Sequence, residues 1–352
     1  MARLIDPWIA RSVARTLTGD SGLAGSYLLD RLTHDLGLAV PRSELLVAEA
    51  SAIPAPEPVR WKIIDRAAWA DSNISSLSAL LAPLGDRLGQ KLDGAPLPLK
   101  LTQRAIVSAE VGALLGYVSR RVLGQYDLLV ADAGPDGPGD AVLYFVGPNM
   151  VETERRFGFV PEEFALWVAV HEVTHRFQFA GVPWLRPRFL RLVGRYFDLV
   201  ELDARRLARR LREGAMRLAR RSTPPEERNP VYLLASTEQR ALMDQIQALM
   251  AVVEGHGNFV MDHVGSRVIP SFRRMRWVFE RRRQQTTGLQ RAFNHAIGLE
   301  MKLRQYEIGR EFCDGVAAAG GVRALGRLWE DEEGFPTLAE VRDPQLWLRR
   351  VA

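Results

Sequence analysis

The sequence predicts a mainly α (α+β) protein: a helical core with one small β-sheet directly before a helix that carries His-Glu-x-x-His. Three observations lead there. Apolar residues recur at helical spacing along most of the 352 residues. Two short β-type runs, 126–130 and 141–146, flank the turn-rich stretch DAGPDGPGD. The composition, 47% hydrophobic and 25% charged, is globular and excludes a mainly disordered or fibrous chain. The organisation reads as an N-terminal helical region, 1–98, packed as one compact unit with a motif-bearing region, 99–352.

Each element has a local reason. Residues 7–17 form an amphipathic pattern, read as a core-packing helix. A helix over 42–52 runs into the stiff linker of Pro54, Pro56 and Pro58. A helical stretch over 59–90 is interrupted at Pro83 and Gly85, and 94–98 is a loop. Over 99–122, Ile106, Val107, Val111, Leu114 and Leu115 share one side of a helix. After the two β-type runs, Pro161-Glu162-Glu163 opens a helix over 161–180, with acids in its first turn. Gly181 and Pro183 end it. A long basic helix is expected over 187–221, then helices over 236–264, 271–285, 289–319 and 321–330. No internal repeat is present.

Charge narrows the function classes. There are 47 basic and 42 acidic residues, for a net charge of +5, and only Lys62, Lys91, Lys100 and Lys302 are lysines. Arginine suits phosphate and carboxylate partners, so nucleic acid is weighed. That reading needs a continuous basic face across 205–221 and 273–283, and no recognised motif supports it. The charges are locally mixed and read as solvated helix faces, so no nucleic-acid partner is expected. The N-terminus lacks the apolar core of a signal peptide, and no apolar run approaches the ~20 residues that span a bilayer. A cytoplasmic protein with no membrane partner is expected. The single cysteine, Cys313, excludes an intrachain disulfide framework and a cysteine-rich zinc module, so any metal must be held by His and carboxylates.

The helix over 161–180 contains His171-Glu172-Val173-Thr174-His175. Positions i and i+4 lie on one helix face, so both imidazoles can bind one Zn²⁺. Glu172 then stands close enough to take a proton from a zinc-activated water without being a ligand. A chance match is expected in roughly 1% of such chains. A short sheet followed by a mid-helix HExxH is the setting of zincin metallopeptidases, in which a sheet edge holds the substrate. One departure is Arg176, charged where that pattern prefers an uncharged residue.

Such a site needs a third protein ligand. The segment Glu254-Gly255-His256-Gly257-Asn258 through His263 is the densest source, with Glu254, His256, His263 and the more distant Glu300 as alternatives. A carboxylate in an apolar stretch requires a partner, which favours Glu254, whereas His256 and His263 share an apolar face and read as packed residues. Asn258 and Asp262 could supply supporting hydrogen bonds. Tyr306 is a candidate for stabilising an oxyanion.

HEVTHRFQF at 171–179, EGHGNFVMDHVG at 254–265 and GLEMKLRQYEIG at 298–309 together resemble a zincin-like family of hydrolases widespread in actinobacteria. RRVLGQYDL at 120–128, YFVGPNMVETE at 144–154 and FPTLAEVRDPQLW at 335–347 resemble the same family. Some members are labelled as associated with biosynthesis of a deazaflavin coenzyme. The resemblance implies a zincin-like helical core and a zinc-dependent hydrolase or peptidase. It implies His171, His175 and Glu254 as zinc ligands and Glu172 as the catalytic acid–base residue. Asn258 departs from the family pattern, which carries Glu there.

The expected function is therefore a zinc-dependent metallohydrolase of gluzincin type acting on a peptide or small amide, with an edge strand at 141–147 receiving an extended substrate. The alternative is a zincin-fold binding or scaffold protein without activity. A pure scaffold has no physical need for Glu172.

Overall fold

The computed structural model describes residues 4–58, 60–91, 97–127, 142–199, 235–284 and 299–351, with the side chains of 88–91, 97–100, 282–284 and 299–306 outside the description. Among the described residues the fold is mainly α with one three-stranded sheet.

Helix α1 (Pro7–Thr18) begins at Asp6, whose carboxylate accepts from the backbone N–H groups of Trp8 and Ile9. Helix α2 (Tyr27–Ala50) is much longer than the expected 42–52 and runs through Pro41. An interior proline costs a helix ~3 kcal/mol. The buried stripe of Leu28, Leu32, Leu36, Ala39, Val40 and Val47 outweighs that cost, since each large apolar side chain returns ~1.5–3 kcal/mol.

The expected helical stretch over 59–90 is also corrected. Strand β1 (Trp61–Ile64) comes first, and only then do α3 (Arg66–Leu80) and α4 (Ala82–Lys91) follow. Trp-Lys-Ile-Ile suits a half-buried strand, and Asp65 caps α3 by accepting from the Ala68 N–H at 2.7 Å. Helix α5 (Leu97–Ser119) leads into β2 (Gly124–Tyr126), which pairs antiparallel with β3 (Leu143–Val146). Strand β1 pairs parallel with the other edge of β3, in the register Trp61↔Leu143. The order is β1-β3-β2. Strand β3 is thus central, which overturns the expectation of an edge strand at 141–147. The expected run 126–130 begins earlier, at Gly124; residues 128–141 lie outside the described residues.

A helix absent from the sequence reading, α6 (Gly147–Phe157), separates β3 from α7 (Pro161–Gly181). Its Asn149 donates to the carbonyls of Ser119 (2.7 Å) and Val122 (2.6 Å), holding the turn that feeds β2. Arg66 donates to Asn149 Oδ1 at 2.6 Å and fixes that amide.

Helix α7 is the axis of the core. Phe164, Ala165, Val168, Ala169, Val173 and Phe177 are all buried. Arg176 is buried too, at 2% exposure, and the structure explains its charge: it pairs with Glu44 of α2 at 3.2 Å and donates to the Glu57 carbonyl at 2.5 Å. It stitches α7 to α2.

Helix α8 (Leu185–Asp198) is the described part of the expected 187–221 helix; residues 200–221 lie outside the described residues. Then come α9 (Thr237–Val268), α10 (Phe272–Gln284), α11 (Leu299–Gly320), a 3-10 helix (Val322–Trp329), and the C-terminal pair α12 (Leu338–Arg342) and α13 (Pro344–Val351). Ser236 and Gln239 form a capping box at the start of α9. Helices α9 and α11 cross at bare backbone: a Cβ on Gly255 would collide with the Gly309 carbonyl, and one on Gly309 with the Ala251 carbonyl. Among the described residues, no helix is long and apolar enough to cross a membrane.

Candidate metal centre

Helix α7 presents His171 and His175 one turn apart, and α9 brings Glu254 against them. The two Nε2 atoms are 3.2 Å apart, and His175 Nε2 lies 3.5 Å from Glu254 Oε2. One ligand atom from each residue lies within 4.8 Å of the other two. Two ligands at ~2.05 Å from a tetrahedral zinc are about 3.3 Å apart. The His/His/Glu donor set and its spacing therefore fit a zinc-sized divalent ion. The space is kept open by Gly257, where a Cβ would lie 3.2 Å from His175 Cε1 and 3.7 Å from His171 Cε1.

Glu172 is buried at 7% exposure and stands outside the ligating trio. Its carboxylate lies against β2: a Cβ on Gly124 would be 2.6 Å from Glu172 Cγ and 2.9 Å from Oε1. The strand thus approaches the HExxH helix as closely as backbone allows.

Burial alone pushes the His175 imidazole down, because the charged form loses water. The hydrogen bond and negative charge of Glu254, with smaller contributions from Glu172 and Gln178, outweigh it and raise His175 to about 9. His256, fully buried, goes the other way: burial depresses it to about 4, so it is neutral near pH 7. Both its ring nitrogens are engaged, Nδ1 with Gln178 at 3.0 Å and Nε2 with the Ser51 carbonyl at 3.1 Å. It is a packed residue, edge-on to Trp329, and stands outside the trio. His263 stacks on Phe259 and is also outside it.

Of the two residues expected to support the site, one bonds the backbone of a candidate ligand and the other pairs away from it. Asn258 donates to the backbone carbonyl of Glu254, and Asp262 pairs with Arg276 at 2.6 Å and Arg310 at 3.5 Å. Tyr306 and Glu300 belong to α11, but their side chains lie outside the described residues. Sequence reasoning missed Gln178, Gly124 and Gly257. Gln178 carried a signal, since i+3 from His175 shares its helix face. Gly124 carried none, because its contact with Glu172 is tertiary.

The profile of the zincin-like metallopeptidase family matches residues 5–348. The chain belongs to this family. As a zincin-like protein it is also similar to a solved structure, the crystal structure of a candidate hydrolase with a novel fold from Chloroflexus aurantiacus. The two chains are 32% identical, with a TM-score of 0.70, over 99% of this chain and 98% of that one. None of the curated proteins compared with the chain matches it. Membership of a zincin-like family implies a metal, usually zinc, and the His171, His175 and Glu254 group is the one among the described residues that could hold it.

Proposed function

We infer that the protein is a zinc-dependent hydrolase of peptide or small amide bonds, with His171, His175 and Glu254 holding the ion and Glu172 as the acid–base residue. The observation that carries this reading is the convergence of the three ligand atoms within 4.8 Å of one another, with Glu172 alongside but not among them. When bound, zinc supplies Lewis acidity, which lowers the pKa of water toward ~7 and polarises a carbonyl. Glu172 takes the proton from the attacking water and delivers it to the departing amine.

An extended substrate is received by β2 rather than by β3. Asp127 N–H bonds the Val142 carbonyl, and the Leu123 carbonyl accepts from Val146, so odd-numbered residues face β3. Antiparallel alternation then turns the backbone groups of Gly124 and Tyr126 away from β3, along the outer edge of the strand whose face packs on Glu172.

The test is elemental analysis joined to a peptide and amide hydrolysis screen. Wild type is expected to hold about one zinc per chain. Glu172→Gln is expected to keep that zinc and lose ~10²–10⁴-fold in turnover, the usual worth of a general base. Loss of metal with Glu172→Gln, or full activity in that variant, would refute the assignment.

A further inference from the structure

Gln178 is fully buried in the core side of α7, and each of its amide atoms has a partner of fixed hydrogen-bonding character. Its Nε2 lies 2.8 Å from the Val253 carbonyl, which can only accept. The same Nε2 lies 3.0 Å from His256 Nδ1. The other nitrogen of that ring, Nε2, faces the Ser51 carbonyl at 3.1 Å, which again can only accept. The Ser51 carbonyl therefore requires a proton on His256 Nε2. The Val253 carbonyl turns the Gln178 amino group toward α9, and that amino group, facing His256 Nδ1, requires the nitrogen to be bare. The Gln178 Oε1 is left facing His175 Nδ1 at 2.8 Å, and that nitrogen must carry the proton.

We propose that Gln178 and His256 form a positioning relay that fixes His175 with its proton on Nδ1 and its Nε2 lone pair directed at the ion. The relay runs from the C-terminal end of α2 (Ser51) through α9 (His256, Val253) to α7 (Gln178, His175), so three helices set one tautomer. His256 is held in its ring plane by Trp329, with ring centroids 4.9 Å apart. Neither residue touches substrate; both act through His175. A histidine ligand whose second nitrogen donates to an oxygen is both oriented and made more basic toward its ion. The metal part of the proposal rests on the zinc reading above; the hydrogen-bond part does not.

The experiment combines ¹⁵N-detected histidine NMR of the full-length protein at pH 7 with Co²⁺ titration followed by its visible spectrum. In wild type, with or without metal, His175 is expected to carry a proton on Nδ1. His256 is expected to carry one on Nε2 and none on Nδ1. Gln178→Met, close in volume but unable to accept, is expected to weaken Co²⁺ binding ~10–100-fold and to change the Co²⁺ spectrum. Gln178→Glu keeps an acceptor for His175 but points a carboxylate at Val253 O and His256 Nδ1. It is expected to retain most of the Co²⁺ affinity while melting earlier, a split that a purely packing role would not give. A bare Nδ1 on His175, a proton on Nδ1 of His256, or unchanged Co²⁺ affinity in Gln178→Met would overturn the relay. Should wild type bind no Co²⁺ while the protons sit as assigned, the zinc reading falls and the hydrogen-bond relay stands.

Discussion

In the proposed reaction a single carboxylate, Glu172, separates a chemical site from a structural one, and it packs against a residue with no side chain. Gly124 lies so close that any Cβ would press on Glu172 Cγ. Gly124→Val should therefore displace the carboxylate without touching a ligand. The expected outcome is a loss of ~10²-fold in kcat, the usual cost of a misplacement near 1 Å, with zinc content and zinc affinity unchanged. Stopped assays on zinc-loaded protein, paired with elemental analysis, check it; parallel loss of zinc would place Gly124 in the ligand cage instead. Sequence reading at this scale reached His171 and His175 because the i, i+4 spacing encodes their shared face, and Glu172 because it stands next to His171 within the same motif. It preferred Glu254 to His256 because a buried carboxylate needs a partner, and the fold brings Glu254 to the histidines while occupying both nitrogens of His256. Nothing local could reveal Gly124, whose partner lies 48 positions away in the sequence.

At the scale of elements, local signals and tertiary packing compete. The sequence reading starts a helix only at 42, yet α2 begins at Tyr27 and passes through Pro41 because its apolar stripe buries against α7. Trp61–Ile64 lies in a stretch of helical spacing, yet it is recruited as a strand by parallel pairing with β3, 82 positions on. Such pairing leaves no local mark. Caps, by contrast, are legible and testable. Thr337 and Glu340 form a capping box on α12, and Arg350 of α13 donates to Glu340 at 2.6 Å. Burial raises the Glu340 carboxyl, but the Arg350 hydrogen bond, the Thr337 bonds and the Arg350 charge outweigh it, and the net pKa is lowered. A carboxyl depressed in the folded state stabilises above its unfolded pKa, and that stability is lost as pH falls through the folded value. Glu340→Gln should thus cost about 1–2 kcal/mol at pH 7. The gap to wild type should close as pH drops below ~4.5, as read by urea melts across pH. A gap that persists in acid would mean packing, not charge, is responsible. The α9–α11 crossing makes a second element-scale prediction. Gly309→Ala forces backbone from backbone, and since Gly255 is the residue after Glu254, the separation is transmitted to the ligand. A loss of about 1–3 kcal/mol in stability is expected, together with weakened zinc binding, although Gly309 is no ligand.

For the whole molecule, the candidate metal centre also joins two helices of the core, α7 and α9, and its protonation couples to folding. In the metal-free protein His175 titrates at about 9 because Glu254, on the other helix, outweighs the cost of burial. The unfolded imidazole titrates near 6.5. A group whose pKa is raised by folding contributes stability that is complete below the unfolded value and lost as pH rises through the folded one. Metal-free protein is therefore expected to lose stability between pH ~6.5 and ~9, by an amount on the order of a few kcal/mol. An ion in the site takes the place of that proton as the cationic partner of Glu254. Zinc-loaded protein should then show little of this slope, and at ~100-fold excess over Kd it should be more stable by about 2.7 kcal/mol. Denaturant unfolding of both forms at pH 6, 7.5 and 9 decides it. Parallel pH profiles in the two forms would mean that zinc and the His175 proton do not compete for the same nitrogen. The link between α7 and α9 would then have to be sought outside the His175–Glu254 pair.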